Sequence, residues 1–377
     1  MTTIDDPVFA VVTGGGTAGH VLPALAIAEG LVDAGHRPES IHYIGARRGI
    51  ETRLLPPTPF PHHFLDITGL QRSWRRWRSN AALPARLAGA TRAAGRLLDE
   101  HRPQVVVSVG GYASAPAVLA ARRRRIPVVV VSYDRSPGLA SRLTARFAAV
   151  SAVAFDDSPL PRAIVTGAPV RRVMRELDRD AMRSSARREL GLPADRFVVG
   201  VTGGSQGSGV LNDAIAAYAA EHRDDAGLAI RQIVGERFLG ATPPAEAGPA
   251  GLIHQVIGYD DHLERTYAAI DVLVGRGGAS TVAEVAVTGT PAILVPWRDA
   301  ADDHQTRNVA WLADDGAAVA LAETDVTRLG AELDGLRSDP GARRALGARA
   351  RRLGEMHRGD RLARVIEDVA AGVRPSR

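Results

Sequence analysis

The chain is patterned as short, mostly apolar runs, most of them leading into glycine-rich or polar turns and then into stretches with apolar residues at helical spacing. In the first half the runs fall at residues 9–12, 41–44, 105–109, 128–131, 150–155 and 164–165. In the second they fall at 197–201, 228–234, 252–257, 272–274, 292–295 and 317–321. Unbroken runs such as 105–107 and 128–131 suit strands buried on both faces, and the alternation of the runs with helices over short loops predicts parallel sheets covered on both sides. Helices are expected from Leu22 to near Gly35, through Leu83, Leu87, Leu97 and Leu98, over residues 211–220, from Ala279, and from Gly341 onward. The plan is carried out twice, with residues 167–171 as a hinge. We therefore expect an α/β protein with one domain over 1–167, a second over 168–345, and a helical tail, 346–377, packing back on the first.

Three of the turns are of the kind that cradles phosphate. Gly14-Gly15-Gly16-Thr17-Ala18-Gly19-His20 follows the first run, Gly203-Gly204-Ser205-Gln206-Gly207 opens the second half, and Gly275-Arg276-Gly277-Gly278-Ala279-Ser280-Thr281 follows the run at 272–274. Glycines allow close backbone approach, and a helix starting there points free N–H groups and its positive dipole end at an anion. Glu284 lies about one turn into the third helix, where a carboxylate can hold a pair of sugar hydroxyls. The first turn also satisfies G-x-G-x-x-G, but the second strand runs out into Gly45-Ala46-Arg47-Arg48 with no acid for a ribose. An NADP oxidoreductase with Arg47 on a 2′-phosphate is thus a weak competitor that leaves the other two turns without a task. His20 ends a phosphate-type turn and is the candidate base.

Composition narrows the chemistry. The chain has 377 residues, no cysteine, and 47 basic side chains that are all arginine. Thiol catalysis, disulfides, a Schiff-base lysine and a Walker lysine are excluded. Residues 1–7 are acidic and lack a basic n-region, and no apolar run approaches a membrane span, so a soluble, cytoplasmic or at most peripheral protein is expected. One segment interleaves Trp74 and Trp77 with Arg72, Arg75, Arg76 and Arg78. That is the pattern of a contact with an anionic membrane surface. No Asp-x-Asp stands at a strand end; Asp260-Asp261 and Asp302-Asp303 are adjacent pairs in polar loops, so no metal or other cofactor is assigned.

Taken in order, residues 14–20, 109–116, 167–171, 203–207 with Leu211-Asn212, 277–284 and 300–308 resemble the successive motifs of the MurG family. The resemblance implies the GT-B architecture: two Rossmann-like, doubly wound parallel-sheet domains facing a cleft. It implies an inverting transfer of a sugar, GlcNAc in the family, from a UDP-sugar that is substrate rather than cofactor to a lipid-pyrophosphate acceptor. On the donor side it implies that Glu284 holds the uridine ribose. Ser205, Gln206, Gly277, Gly278, Ala279, Ser280 and Thr281 would bind the pyrophosphate, with Arg171 neutralising it and His304 and Gln305 facing the sugar. On the acceptor side it implies His20 with Gly15, Gly16, Thr17 and Gly19, and Gly111 and Tyr112 near the acceptor diphosphate. Where the family carries His-Glu-Gln-Asn this chain reads Val131-Ser132-Tyr133-Asp134, and Ala168 replaces the asparagine before Pro169. Asp134 thus enters the list of acceptor-side candidates. A related transferase acting on a natural-product acceptor, and a UDP-sugar-binding protein without turnover, are the alternatives these departures leave.

Overall fold

The computed structural model describes residues 7–67, 83–245, 251–300 and 303–375. These divide into two compact units, one of residues up to Arg172 together with those from Gly359 on, the other Val173–Arg358. Residues 72–78, with the paired tryptophans, lie outside the described residues.

The first unit is built on a seven-stranded parallel sheet in the order β3-β2-β1-β4-β5-β6-β7. The strands are β1 Ala10–Thr13, β2 Ile41–Ala46, β3 His62–Leu65, β4 Val105–Ser108, β5 Val128–Ser132, β6 Val150–Val153 and β7 Ala163–Val165. Val105, Val106, Val107, Val129 and Val130 are fully buried, as a central strand covered on both faces requires. On one face Ala90, Ala94 and Leu98 of the helix Leu83–His101 pack with Val11, Ile44, Val106, Val118 and Val130. The helix Arg361–Ala370 belongs to this unit, where it buries Ala363, Val365, Ile366 and Val369 and contacts the helix Ala18–Asp33 and strands β4, β5 and β6. His36 and Glu367 meet at 3.0 Å across that helix pair.

The second unit has a six-stranded parallel sheet in the order β10-β9-β8-β11-β12-β13. These strands are β8 Phe197–Thr202, β9 Leu228–Ile233, β10 Ile253–Ile257, β11 Val272–Gly275, β12 Ala292–Leu294 and β13 Val319–Ala320. Its core joins Val199, Val201, Leu211, Ile215, Ile230, Val272, Val274 and Ile293.

Three differences from the sequence reading have physical causes. The first unit extends five residues past the expected 167, because Glu29 of the first helix holds both Arg171 and the Arg172 amide, each at 2.8 Å. The expected returning tail begins at Gly359 rather than 346. The arginine-rich helix Pro340–Leu353 stays in the second unit, where Gly347 and Gly354 bring their backbones so close to Gly289 and Ala286 that a Cβ would meet carbonyl oxygens at 2.6 and 2.3 Å. Strand β3 was not expected at all, since His62-His63 breaks its apolar run.

Candidate active site

In the first unit β1 and β4 are neighbours, and the chain leaves them toward opposite sides of the sheet, which makes their C-terminal ends a switch point where ligands bind in such sheets. Residues 14–20 and 110–112 meet there. Gly110 and Gly111 have φ of +90° and +75°, and a Cβ on Gly111 would meet the Gly15 carbonyl oxygen at 2.5 Å, so only glycine lets the second loop lie on the first. Tyr112 covers Gly16, within 2.5 Å of where its Cβ would stand.

Two tyrosines hold the first loop by its carbonyls. Tyr43 donates to Gly14 O at 2.7 Å, and Tyr133 donates to Gly19 O. Tyr133 belongs to the departure at 131–134, so that substitution supplies an anchor for the loop. Its neighbour Asp134 lies close enough to act electrostatically on His20.

His20 sits in the first turn of the helix Ala18–Asp33, with Nδ1 3.1 Å from Thr17 Oγ1. Burial lowers its pKa, opposed by the negative fields of Asp134 and Glu51. The imidazole is therefore neutral at neutral pH, the state a general base needs.

Glu51 was missed by sequence reasoning, which found no acid after β2. The chain turns back five residues past the strand, and Glu51, fully buried, accepts from Ala46 N at 2.8 Å and from Gly16 N at 3.2 Å. Gly15, Gly45 and Gly49 form its cradle: a Cβ on any of them would come within 3.0 Å of the Glu51 side chain. The signal was available in the trio of glycines around one acid. The Gly16 amide thus already has an anionic partner, so the first loop offers fewer free amides than expected.

In the second unit, residues 203–207 and 275–281 follow adjacent strands β8 and β11. Ser205 and Gln206 are exposed in a tight turn closed by Gly207 N donating to Gly204 O at 2.9 Å. Arg276, buried, ties the two loops together. Its guanidinium donates to Ser208 Oγ at 2.7 Å, to Glu323 at 2.7 Å and to Val295 O at 3.2 Å. Sequence reasoning did not single out Arg276.

The helix Ala279–Thr288 starts at Gly278 with no side-chain cap, so its first amides lack intrahelical partners. The Ser280 hydroxyl beside them is buried and unpartnered. Gly278 has open space where a Cβ would stand, whereas Gly277 is required by packing: a Cβ there would meet Val309 at 2.6 Å. Gln305 holds this loop rather than pointing away from it, its Oε1 accepting from Gly277 N at 3.2 Å and Trp297 N at 2.9 Å. Any sugar contact of Gln305 thus falls to its amide nitrogen. His304 opens the same helix, His304–Ala313, after Asp303 at φ +50°.

Glu284 is partly buried within the helix, and burial raises its pKa to about 7. The hydroxyl of Tyr267, itself wholly buried, donates to Glu284 Oε2 at 3.1 Å and partly opposes that rise. Tyr267 is a third residue the sequence did not single out. It orients the carboxylate and leaves Oε1 for a ligand. Arg171, expected among the donor groups, lies in the first unit and is paired with Glu29 at 2.8 Å. Asp260 receives Arg231 at 3.1 Å and Thr266 at 2.6 Å, a structural engagement.

Residues 10–153 match the glycosyltransferase family 28 N-terminal domain and residues 198–353 the glycosyltransferase family 28 C-terminal domain. The UDP-N-acetylglucosamine–N-acetylmuramyl-(pentapeptide) pyrophosphoryl-undecaprenol N-acetylglucosamine transferase of Clavibacter sepedonicus is 39% identical over 97% of this chain and 98% of its own. The chain belongs to the MurG family. The transferase of the same name from a Nocardioides species is 37% identical over 96% of this chain and 98% of its own. The crystal structure of Acinetobacter baumannii MurG aligns with a TM-score of 0.69 at 27% identity, covering 96% of this chain and 99% of that one. A MurG-family chain is a UDP-sugar glycosyltransferase of GT-B type, which sets aside the oxidoreductase and non-catalytic readings.

Proposed function

We propose that this MurG-family chain transfers N-acetylglucosamine, with inversion, from UDP-N-acetylglucosamine to an N-acetylmuramyl-pentapeptide on a lipid pyrophosphate. That is the reaction for which its Clavibacter and Nocardioides relatives are named. The observation that carries the reading is the Glu284 carboxylate, held on one oxygen by Tyr267, in a helix whose first amides and Ser280 hydroxyl are unpartnered. A carboxylate with a free oxygen suits a ribose diol. Amides at a helix N-terminus suit a pyrophosphate and stabilise the negative charge that develops on departing UDP. Gln305 and Arg276 act as positioning residues, fixing the loop that carries those amides. Ser205, Gln206 and Thr281 complete the proposed donor set, and His304 and the Gln305 amide nitrogen are its sugar-facing members.

On the acceptor side His20 is the proposed base. With Nδ1–H donating to Thr17, Nε2 carries the lone pair that takes the acceptor hydroxyl proton, and Asp134 stabilises the resulting imidazolium. The displacement forms one glycosidic bond as the bond to UDP breaks, with no covalent enzyme intermediate.

A lipid-borne acceptor requires contact with a bilayer. No helix among the described residues is long and apolar enough to cross one. Besides residues 72–78, the exposed Leu139, Leu143 and Phe147 support a peripheral contact, with Arg122 stacked 3.8 Å over the Phe147 ring.

Incubation with a panel of UDP-sugars, with and without the lipid-linked acceptor, tests the reading. UDP release is expected from UDP-N-acetylglucosamine and only with acceptor present. Release that prefers another sugar, or another acceptor such as a simpler polyprenyl phosphate, overturns the assignment.

A further inference from the structure

Three histidines gather at the end of the first sheet opposite the glycine loops. His42 is the second residue of β2 and His63 the second of β3, and the register pairs Ile44 with His63. Side chains two apart share a face of a strand, so His42 and Ile44 point to one side and His63 lies beside them on it. That is the side covered by the helix Leu83–His101, since Ile44 packs with Ala90, Ala94 and Leu98. The helix ends on His101, which brings a third imidazole to the same corner.

The geometry of the rings is that of ligands more than of packing. One nitrogen from each of the three lies within 4.8 Å of the others. His63 Nε2 and His101 Nε2 are 3.2 Å apart. Two imidazole nitrogens on one tetrahedral zinc ion, each at 2.0–2.1 Å, stand about 3.3 Å from one another. His42 Nδ1 is out of contact with water and makes no hydrogen bond of good geometry, the backbone of Glu39 being the polar group that acts on the ring. The rings of His42 and His101 are 4.3 Å apart between centroids and tilted by 59°, so they are not stacked face to face. The surroundings favour a cation: Glu100 acts on His63 with a negative field, and the cluster lies at a helix C-terminus, the negative end of its dipole.

We propose that His42, His63 and His101 form a binding site for a divalent transition metal of the zinc type. Three borderline nitrogen donors and no carboxylate exclude magnesium and calcium as its preferred ions. Closing the widest pair requires a ring movement of at most about 1.5 Å to reach the 3.3 Å spacing. The fourth position belongs to water. The ion is structural, clamping the last turn of the helix Leu83–His101 to the edge strand β3 and its neighbour β2. It lies at the N-terminal ends of the strands and takes no part in the transfer proposed above.

The test uses the full chain stripped of metal with a chelator and titrated with zinc chloride alone. One ion per chain is expected to bind, with a rise in melting temperature that the chelator reverses. His63→Gln and His101→Gln are each expected to weaken binding by more than the 10–100-fold that losing an outer-shell partner costs, with donor binding unchanged. X-ray absorption of the zinc-loaded parent reads the ligands without any substitution and is expected to show three imidazoles. Absence of stoichiometric binding overturns the proposal. So does binding that survives in folded variants, or a spectrum with one imidazole or none.

Discussion

Replacing Glu284 with glutamine keeps the shape of the side chain and removes its charge, and the structure says how that charge behaves. Burial moves the carboxyl from the ordinary 4.5 to about 7, so the protein holds the ionised form at a cost of about 3 kcal/mol. Because the folded value is raised, the group contributes most to stability below pH 4.5, and that contribution is lost as pH rises through 7. A ribose diol reverses the preference, since two donating hydroxyls need an accepting carboxylate. UDP affinity in the parent should therefore fall as pH drops through 7. If only the ionised form binds, the accessible fraction changes about tenfold between pH 8 and pH 6, and affinity with it. Calorimetry across that range, in buffers of different ionisation heat, reads both the affinity and the proton released on binding. UDP's own phosphate also titrates near 6, and Glu284→Gln isolates it: the variant keeps the nucleotide's contribution and loses the enzyme's. At pH 8 the variant should bind UDP weaker by about 1.5–3 kcal/mol. Tyr267→Phe removes the hydrogen bond that favours ionisation, so its profile should move to higher pH. Parent and Glu284→Gln profiles that superimpose would falsify the ribose assignment.

His20→Ala should lower turnover by about 100-fold or more with UDP affinity kept; undiminished turnover makes the histidine structural. Asp134→Asn removes a field that raises the His20 pKa, so the acidic limb of the kcat/KM profile should move to lower pH, and an unmoved limb removes Asp134 from the base's surroundings. Glu51→Ala leaves the Gly16 and Ala46 amides without their acceptor. It should cost about 2–4 kcal/mol in urea unfolding, with Glu51→Gln milder because it keeps an acceptor oxygen. Co-sedimentation with anionic liposomes should weaken with salt and fall in a Trp74→Ala, Trp77→Ala double variant; a protein that ignores such liposomes at low salt has no docking segment there.

The sheets were legible because a parallel strand buried on both faces must be apolar throughout, and Val105-Val106-Val107 or Val128-Val129-Val130 can be little else. Strand β3 was not, since an edge strand beginning His62-His63 carries no such constraint. The glycine turns were legible as turns, but the purpose of each glycine was not. Gly277 makes room for Val309, thirty-two positions on, and Gly15, Gly45 and Gly49 together house one carboxylate. Local pattern cannot reveal contacts of that range. Glu51, Tyr267 and Arg276 escaped for the same reason: each acts through a partner brought near only by folding. The Arg171–Glu29 ion pair escaped too, since its two members stand far apart in sequence.

The helix Arg361–Ala370 has a consequence for how the protein is made. Its buried face covers the sheet of the first unit, yet it is synthesised only after the whole second unit. The seven strands it helps to cover are all complete by Val165, and the whole second unit is translated between them and their cover. During that interval an apolar stretch of sheet stands open in the nascent chain, while residues 173–358, continuous in sequence, can fold as they emerge. The unit begun first is therefore finished last, and a ribosome stalled anywhere in the second half leaves a chain whose first half is sticky.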